Sequence, residues 1–107
     1  MVAEHRNLNL SFFNTKKAKY MSNMFCGCKS LINLNLSSFD TQNVIYMQQM
    51  FYDCNNLINL DLSYFNTIDT RNITDIFKNC NNLEKVKLDV ELNKKIIEVL
   101  NKFNKNV

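Results

Sequence analysis

The chain has 107 residues, of which 46% are apolar, a composition that fits one folded domain and argues against a disordered chain. Its 13 basic and 10 acidic residues leave a net charge of +3, short of the footprint of a protein whose binding is driven by phosphate neutralisation. No apolar run approaches the roughly 20 residues that span a bilayer, and the start, MVAEHRNLNLSFF, lacks the basic-then-apolar order of a signal peptide.

In chain order, residues 1–6 form a polar tail with no helix or strand signal. From Asn7 onward one unit is written three times at a spacing of 26 residues: LNLSFFNTKKAKYMSNMFCGC over 8–28, LINLNLSSFDTQNVIYMQQMFYDC over 31–54 and LINLDLSYFNTIDTRNITDIFKNC over 57–80. Apolar positions recur without insertion, as in Leu10, Leu36, Leu62 and Leu88, in Phe13, Phe39 and Phe65, in Met24, Met50 and Ile76, in Phe25, Phe51 and Phe77, and in Cys28, Cys54 and Cys80. Units of equal length imply a stack of equal circumference.

Within a unit the apolar period changes. Leu34, Asn35, Leu36 and Ser37 alternate, which predicts a short strand with the leucines on one face. Val44, Met47, Met50, Phe51 and Cys54 follow at spacings of 3, 3, 1 and 3, which predicts a helix. Asp40 with Thr41 precede that stripe as cap residues, as do Asn14 with Thr15 and Asn66 with Thr67. The expected unit is strand, Phe-bearing turn, helix, turn, with successive strands parallel, about 4.8 Å apart and joined by right-handed crossovers.

After Leu88 the repeat is lost. Asp89 is placed to cap a helix from about Val90 to Asn104, whose apolar stripe is Leu92, Ile96, Val99, Leu100 and Phe103, a cover for the last unit. Residues 1–107 therefore read as one domain: tail 1–6, repeats 7–88, and a C-terminal capping helix in 89–107. At the other end only Met1, Val2 and Ala3 are available as apolar cover. An exposed first strand invites pairing, and a homodimer through the uncapped N-terminal repeat is an expectation.

The unit LINLNLSSFDTQNVIYMQQMFYDC resembles the 26-residue repeat of the BspA-like leucine-rich repeats, known also from mycoplasma surface lipoproteins. The shared pattern is a leucine-rich strand, a Ser-Ser-Phe-Asp-Thr turn and a Met-Met-Phe helix ending in cysteine, over residues 7–88. The resemblance implies an α/β fold, a short leucine-rich-repeat-like solenoid with a parallel sheet on one face. It also implies binding to other proteins. The family's surface address has no signal in this sequence, so the chain reads as cytoplasmic, or as extracellular if it is a fragment of a longer protein.

The chemistry-bearing residues point away from catalysis. Cys28, Cys54 and Cys80 hold one repeat position and Cys26 lies one residue from Cys28, closer than zinc-knuckle ligands stand. The ladder cysteines read as core residues that stay reduced, since in-register side chains point the same way rather than at each other. His5 is the one histidine and lies in the tail, with no orienting group for a Cys–His pair. One glycine leaves no loop to cradle a phosphate. No catalytic, cofactor-binding or metal-binding residue is proposed. The sequons at Asn9, Asn35 and Asn72 carry meaning only on a secretory route.

What the repeat leaves free is surface. Strand residues opposite the leucines predict ladders on a concave face, with Asn33, Asn35, Ser37, Asn59, Asp61, Ser63, Lys85 and Lys87 as candidates for partner binding. On the convex side Lys16, Lys17 and Lys19 cluster near Arg6 and Lys29, and Tyr20, Ile45, Tyr46 and Tyr52 fall outside the inward stripe; tyrosine is enriched at binding hot spots. The expected function is a non-enzymatic protein-interaction module, an inhibitor or adaptor of a larger complex. The alternatives are nucleic-acid association through the N-terminal lysines and a fragment of a surface adhesin.

Overall fold

The computed structural model describes residues 6–102; the tail residues Met1, Val2 and Ala3, and Phe103 and Asn104 of the expected helix, lie outside that range. Four short strands, β1 (Asn7–Asn9), β2 (Asn33–Asn35), β3 (Asn59–Leu62) and β4 (Lys85–Leu88), form one parallel sheet in the order β1-β2-β3-β4. The register is that of the repeat: Leu8, Leu34, Leu60 and Val86 pair in succession, as do Asn7, Asn33, Asn59 and Lys85. Residues 7–32, 33–58 and 59–84 are called the first, second and third units below.

The helix expected at Val44–Cys54 and its counterparts does not form. In its place the chain runs through consecutive three-residue reversals: in the second unit Met50 N bonds Met47 O, Tyr52 N bonds Gln49 O and Cys54 N bonds Phe51 O, at 3.2–3.3 Å. The intervening amides leave the unit altogether. Met47, Gln49, Phe51 and Asp53 donate to the carbonyls of Asn72, Thr74, Ile76 and Lys78 in the third unit, at 2.9–3.0 Å. Met21, Asn23, Phe25 and Gly27 do the same toward Tyr46, Gln48, Met50 and Tyr52. Backbone groups that a helix would satisfy internally are thus satisfied between units.

Alternate turns carry a left-handed residue at their third position, as type II turns do, and φ is positive at Asn23, Gly27, Gln49, Asp53, Asp75 and Asn79. Glycine, asparagine and aspartate reach that region at least cost. Chained turns return a side chain to the interior every three or four residues, so their apolar spacing imitates a helix.

The expected helix caps have other work. Asn14, Asp40 and Asn66 each accept, through Oδ1, the amide two residues on, the Asx-turn. The threonines reach forward one unit: Thr15 Oγ1 donates to Asp40 O, and Thr41 Oγ1 donates to Asn66 O while accepting from Asn66 N.

The core lies between the sheet and the turn segment. Phe51 stacks between Phe25 and Phe77 with ring centroids 5.8 and 5.6 Å away, and Leu36, Met47, Met50, Leu62 and Phe65 are buried completely. A 3-10 turn (Glu91–Asn93) and helix α1 (Lys94–Lys102) close the end of the third unit, burying Ile96 and Leu100. Asp89 Oδ1 accepts Leu92 N, as its expected capping role requires. The residue buried at the start of this segment is Asn93, not Leu92: Asn93 Nδ2 donates to Phe65 O and Asp89 O, and its Oδ1 accepts from Thr67 Oγ1. Among the described residues no helix is long and apolar enough to cross a membrane.

Two of the ladders lose their burial at the first unit, although Met21 and Phe25 there stay buried. Phe13 is 46% exposed where Phe39 is 2%, and Met24 is 46% exposed where Met50 is 0%.

Candidate functional site

The sheet face carries a shallow cavity of about 440 Å³ lined by Asn33, Asn35, Asn59, Asp61, Lys85 and Lys87, with Asn7, Asn9, Leu8, Leu34 and Leu60. Parallel in-register strands put identical positions side by side. Asn33 Nδ2 accordingly donates to Asn7 Oδ1, and Asn59 Nδ2 to Asn33 Oδ1. This outer row is tied together along the stack.

The inner row is used differently. Asn9, Asn35 and Asp61 each accept, through Oδ1, the amide of the residue two positions on, at 2.8–3.0 Å. Asp61 also takes the Ser63 hydroxyl. Ser37 and Ser63 therefore stand in the turns after the strands and do not line the cavity, a correction to the third ladder expected on this face. The geometry leaves the Nδ2 donors of Asn9 and Asn35 without a partner among the described residues.

Lys87 is the register neighbour of Asp61, yet that carboxylate is engaged by Ser63. Among the described residues the ion pair formed is Lys94–Glu91, 3.4 Å apart and exposed. Lys85 and Lys87 are exposed cations at the end of the asparagine rows.

On the other side Tyr20 and Tyr46 stack at 5.8 Å with rings 12° apart, 68% and 37% exposed. Lys19, Ile45 and Arg71 form the adjacent row, linked by Ile45 N to Lys19 O and Arg71 N to Ile45 O. Lys16, Lys17 and Lys19 are exposed on the first unit, whereas Tyr52 and Ile45 are half-buried. These residues sit on turns and bridges rather than on helices. Sequence reasoning passed over Phe12, Tyr64 and Ile68, which are 80%, 69% and 55% exposed; the replacement of a small residue by an aromatic at the position shared by Phe12, Ser38 and Tyr64 was the available signal.

Two of the four thiols, Cys54 and Cys80, are packed in the core. Cys54 Sγ donates to Phe25 O at 3.1 Å and Cys80 Sγ to Phe51 O at 3.0 Å. Burial pushes the Cys54 thiol up to about 12, with Cys80 and Cys28 adding to it, and burial followed by Cys26 raises that of Cys28. A raised thiol is a poor nucleophile and a poor metal ligand at neutral pH.

A family model described as a Mycoplasma protein of unknown function, DUF285, matches residues 1–107. The chain belongs to the DUF285 family. No curated protein and no solved structure matches it. In this DUF285 member the match embraces every unit of the parallel sheet and the C-terminal helix.

Proposed function

We propose that the chain is a non-enzymatic protein-binding module of the BspA-like leucine-rich-repeat type. It is a short right-handed solenoid that acts by occupying a surface of a larger complex, as an inhibitor or adaptor. The observation that carries this reading is the sheet face, where rows of asparagine in fixed register end in Lys85 and Lys87, with the Nδ2 donors of Asn9 and Asn35 unused. A rigid array of donors aimed the same way loses little side-chain entropy on binding, and solenoid sheets bind through such arrays.

Affinity capture from a mycoplasma extract, comparing the native chain with Asn35→Lys and with Lys85→Glu/Lys87→Glu, tests it. Lys85 and Lys87 are exposed, so their double variant leaves the fold intact, whereas Asn35 Oδ1 accepts Ser37 N, so circular dichroism has to show the native spectrum for Asn35→Lys before its capture is compared. Stoichiometric protein recovered by the native chain and absent with both variants is the expected result. Recovery unaffected by both variants, or loss of the captured material on nuclease treatment, would sink the reading.

A further inference from the structure

We propose that the polypeptide seated on the sheet face is an extended segment with its acidic residues gathered at one end, over β4, and an uncharged stretch over β3, β2 and β1. The proposal rests on the protein-binding reading of that face and adds the partner's chemistry and direction. Alternation along each strand gives the cavity two walls: an outer one that ends in Asn59 and Lys85, and an inner one that runs Asn9, Asn35, Asp61, Lys87. The groove between them crosses the strands, with rungs about 4.8 Å apart. Four rungs span roughly 14 Å, the reach of about four extended residues.

The two walls offer different groups. Along the outer wall the asparagine amides are spent on one another. Along the inner wall Asn9 and Asn35 spend Oδ1 on the backbone amide two residues on and keep their Nδ2 donors. Asp61 interrupts that series. Its Oδ1 takes the Ser63 amide and hydroxyl, while Oδ2 accepts nothing among the described residues, so at this rung the ligand has to supply a donor. A peptide backbone carries both kinds of group: N–H for Asp61, and C=O for Asn35 and Asn9.

Charge fixes the direction. Lys85 and Lys87 stand two residues apart on β4, both exposed, so their side chains leave the same face of the sheet. Among the described residues the ion pair formed is elsewhere, at Lys94–Glu91, and the carboxylates that bracket the strand, Glu84 and Asp89, do not line the cavity. The groove thus holds two unneutralised cations at β4, one carboxylate at β3 and no charge at β2 or β1. A polypeptide acidic throughout would set a carboxylate against Asp61, and a basic one would set its cations against the lysines. A neutral glycan would leave both lysines without a counter-charge. A phosphate backbone repeats its charge along its length and meets Asp61 as well. Acidic residues confined to one end satisfy every rung: carboxylates at Lys85 and Lys87, an amide at Asp61, carbonyls at Asn35 and Asn9.

The test titrates the isotope-labelled full chain with acetylated, amidated octapeptides of one composition, a pair of glutamates among serines and glutamines. The glutamates stand together at the N-terminal end, together at the C-terminal end, or apart along the chain. At least one end-paired peptide is expected to shift the Asn9 and Asn35 side-chain amides and the backbone amides of Lys85 and Lys87. The spaced peptide binds several-fold more weakly. Asp61→Asn, which keeps an Oδ1 for Ser63, brings the spaced peptide level with the paired one. Lys85→Glu/Lys87→Glu costs the paired peptide about tenfold or more in affinity, and that affinity falls with salt. Equal binding of spaced and paired peptides by the native chain, no binding by any of them, or shifts confined to other surfaces overturns the proposal. A protein captured from the extract and lost with Lys85→Glu/Lys87→Glu, beside peptides that do not bind, leaves the protein-binding reading standing and overturns this one. Polyuridylate occupying the face in place of the peptides overturns both.

Discussion

The Cys54 thiol donates to the carbonyl oxygen of Phe25, 3.1 Å away and 29 residues earlier in the chain. That contact ties the close of one unit to the core phenylalanine of the unit before it. Iodoacetamide at mildly alkaline pH should therefore label Cys26, which is exposed, ahead of Cys28, and should reach Cys54 only after denaturation. Intact mass against time reads the order, and early labelling of Cys54 would contradict the buried assignment.

The same thiol gives a pH dependence. Its folded value, about 12, lies above the ordinary 9.0, so its contribution to stability is complete below about pH 9 and is lost as pH rises toward 12. Urea midpoints measured across that window should fall more steeply for the native chain than for Cys54→Ala. Parallel slopes would show that other groups account for the loss.

Phe51 is the central ring of the three-ring stack and is fully buried. Phe51→Ala should cost about 3–5 kcal/mol, a large share of the roughly 5–15 kcal/mol typical of a whole domain. Phe13→Ala, at the half-exposed member of another ladder, should cost far less. Denaturant titration of both compares a fully buried ring with a half-exposed one, and equal losses would mean that Phe13 is packed in solution as well as Phe51 is.

Asn93 joins the C-terminal segment to the third unit through Phe65 O and Thr67 Oγ1. Asn93→Ala leaves Phe65 O without its donor and Thr67 Oγ1 with only Leu92 O, 3.4 Å away, and should cost about 1–3 kcal/mol. Because Lys95 Nζ also bonds Ile68 O and Thr70 O, α1 should loosen rather than detach, with hydrogen exchange rising first in residues 94–102. Unchanged exchange there would show that Ile96 and Leu100 alone hold the helix.

The repeat was legible because every unit has the same length, so Leu34, Leu60 and Val86 had to meet in register. The cover by α1 was legible from Ile96 and Leu100, but Asn93 was hidden because a polar residue in an apolar stripe reads as a break until its partners are known. On the sheet face the rows of Asn33 with Asn59 and of Asn35 with Asp61 could be placed from strand alternation. Their hydrogen bonds could not, since one row bonds along the stack and the other bonds its own turn. Ser37 and Ser63 were misplaced for a related reason: the strands stop before them, and their amides are drawn into Asx-turns.

Gln49 decides between the helix suggested by spacing and the chained turns. Its φ is 57°, a left-handed value that costs an ordinary residue about 1–2 kcal/mol. Its counterparts at that repeat position are Asn23 and Asp75, residues better suited to the region. In a helix interior, Gln49→Gly would destabilise by roughly 0.5–1 kcal/mol. In the left-handed turn, relief of strain offsets the extra entropy of glycine in the unfolded chain, so the net change should be neutral to about 1 kcal/mol stabilising. Gln49→Val, whose branched side chain tolerates positive φ poorly, should destabilise by more than about 1 kcal/mol. Urea melts of the two variants give the sign directly: a destabilised glycine variant with a tolerated valine would restore the helix, and the reverse order supports the turns.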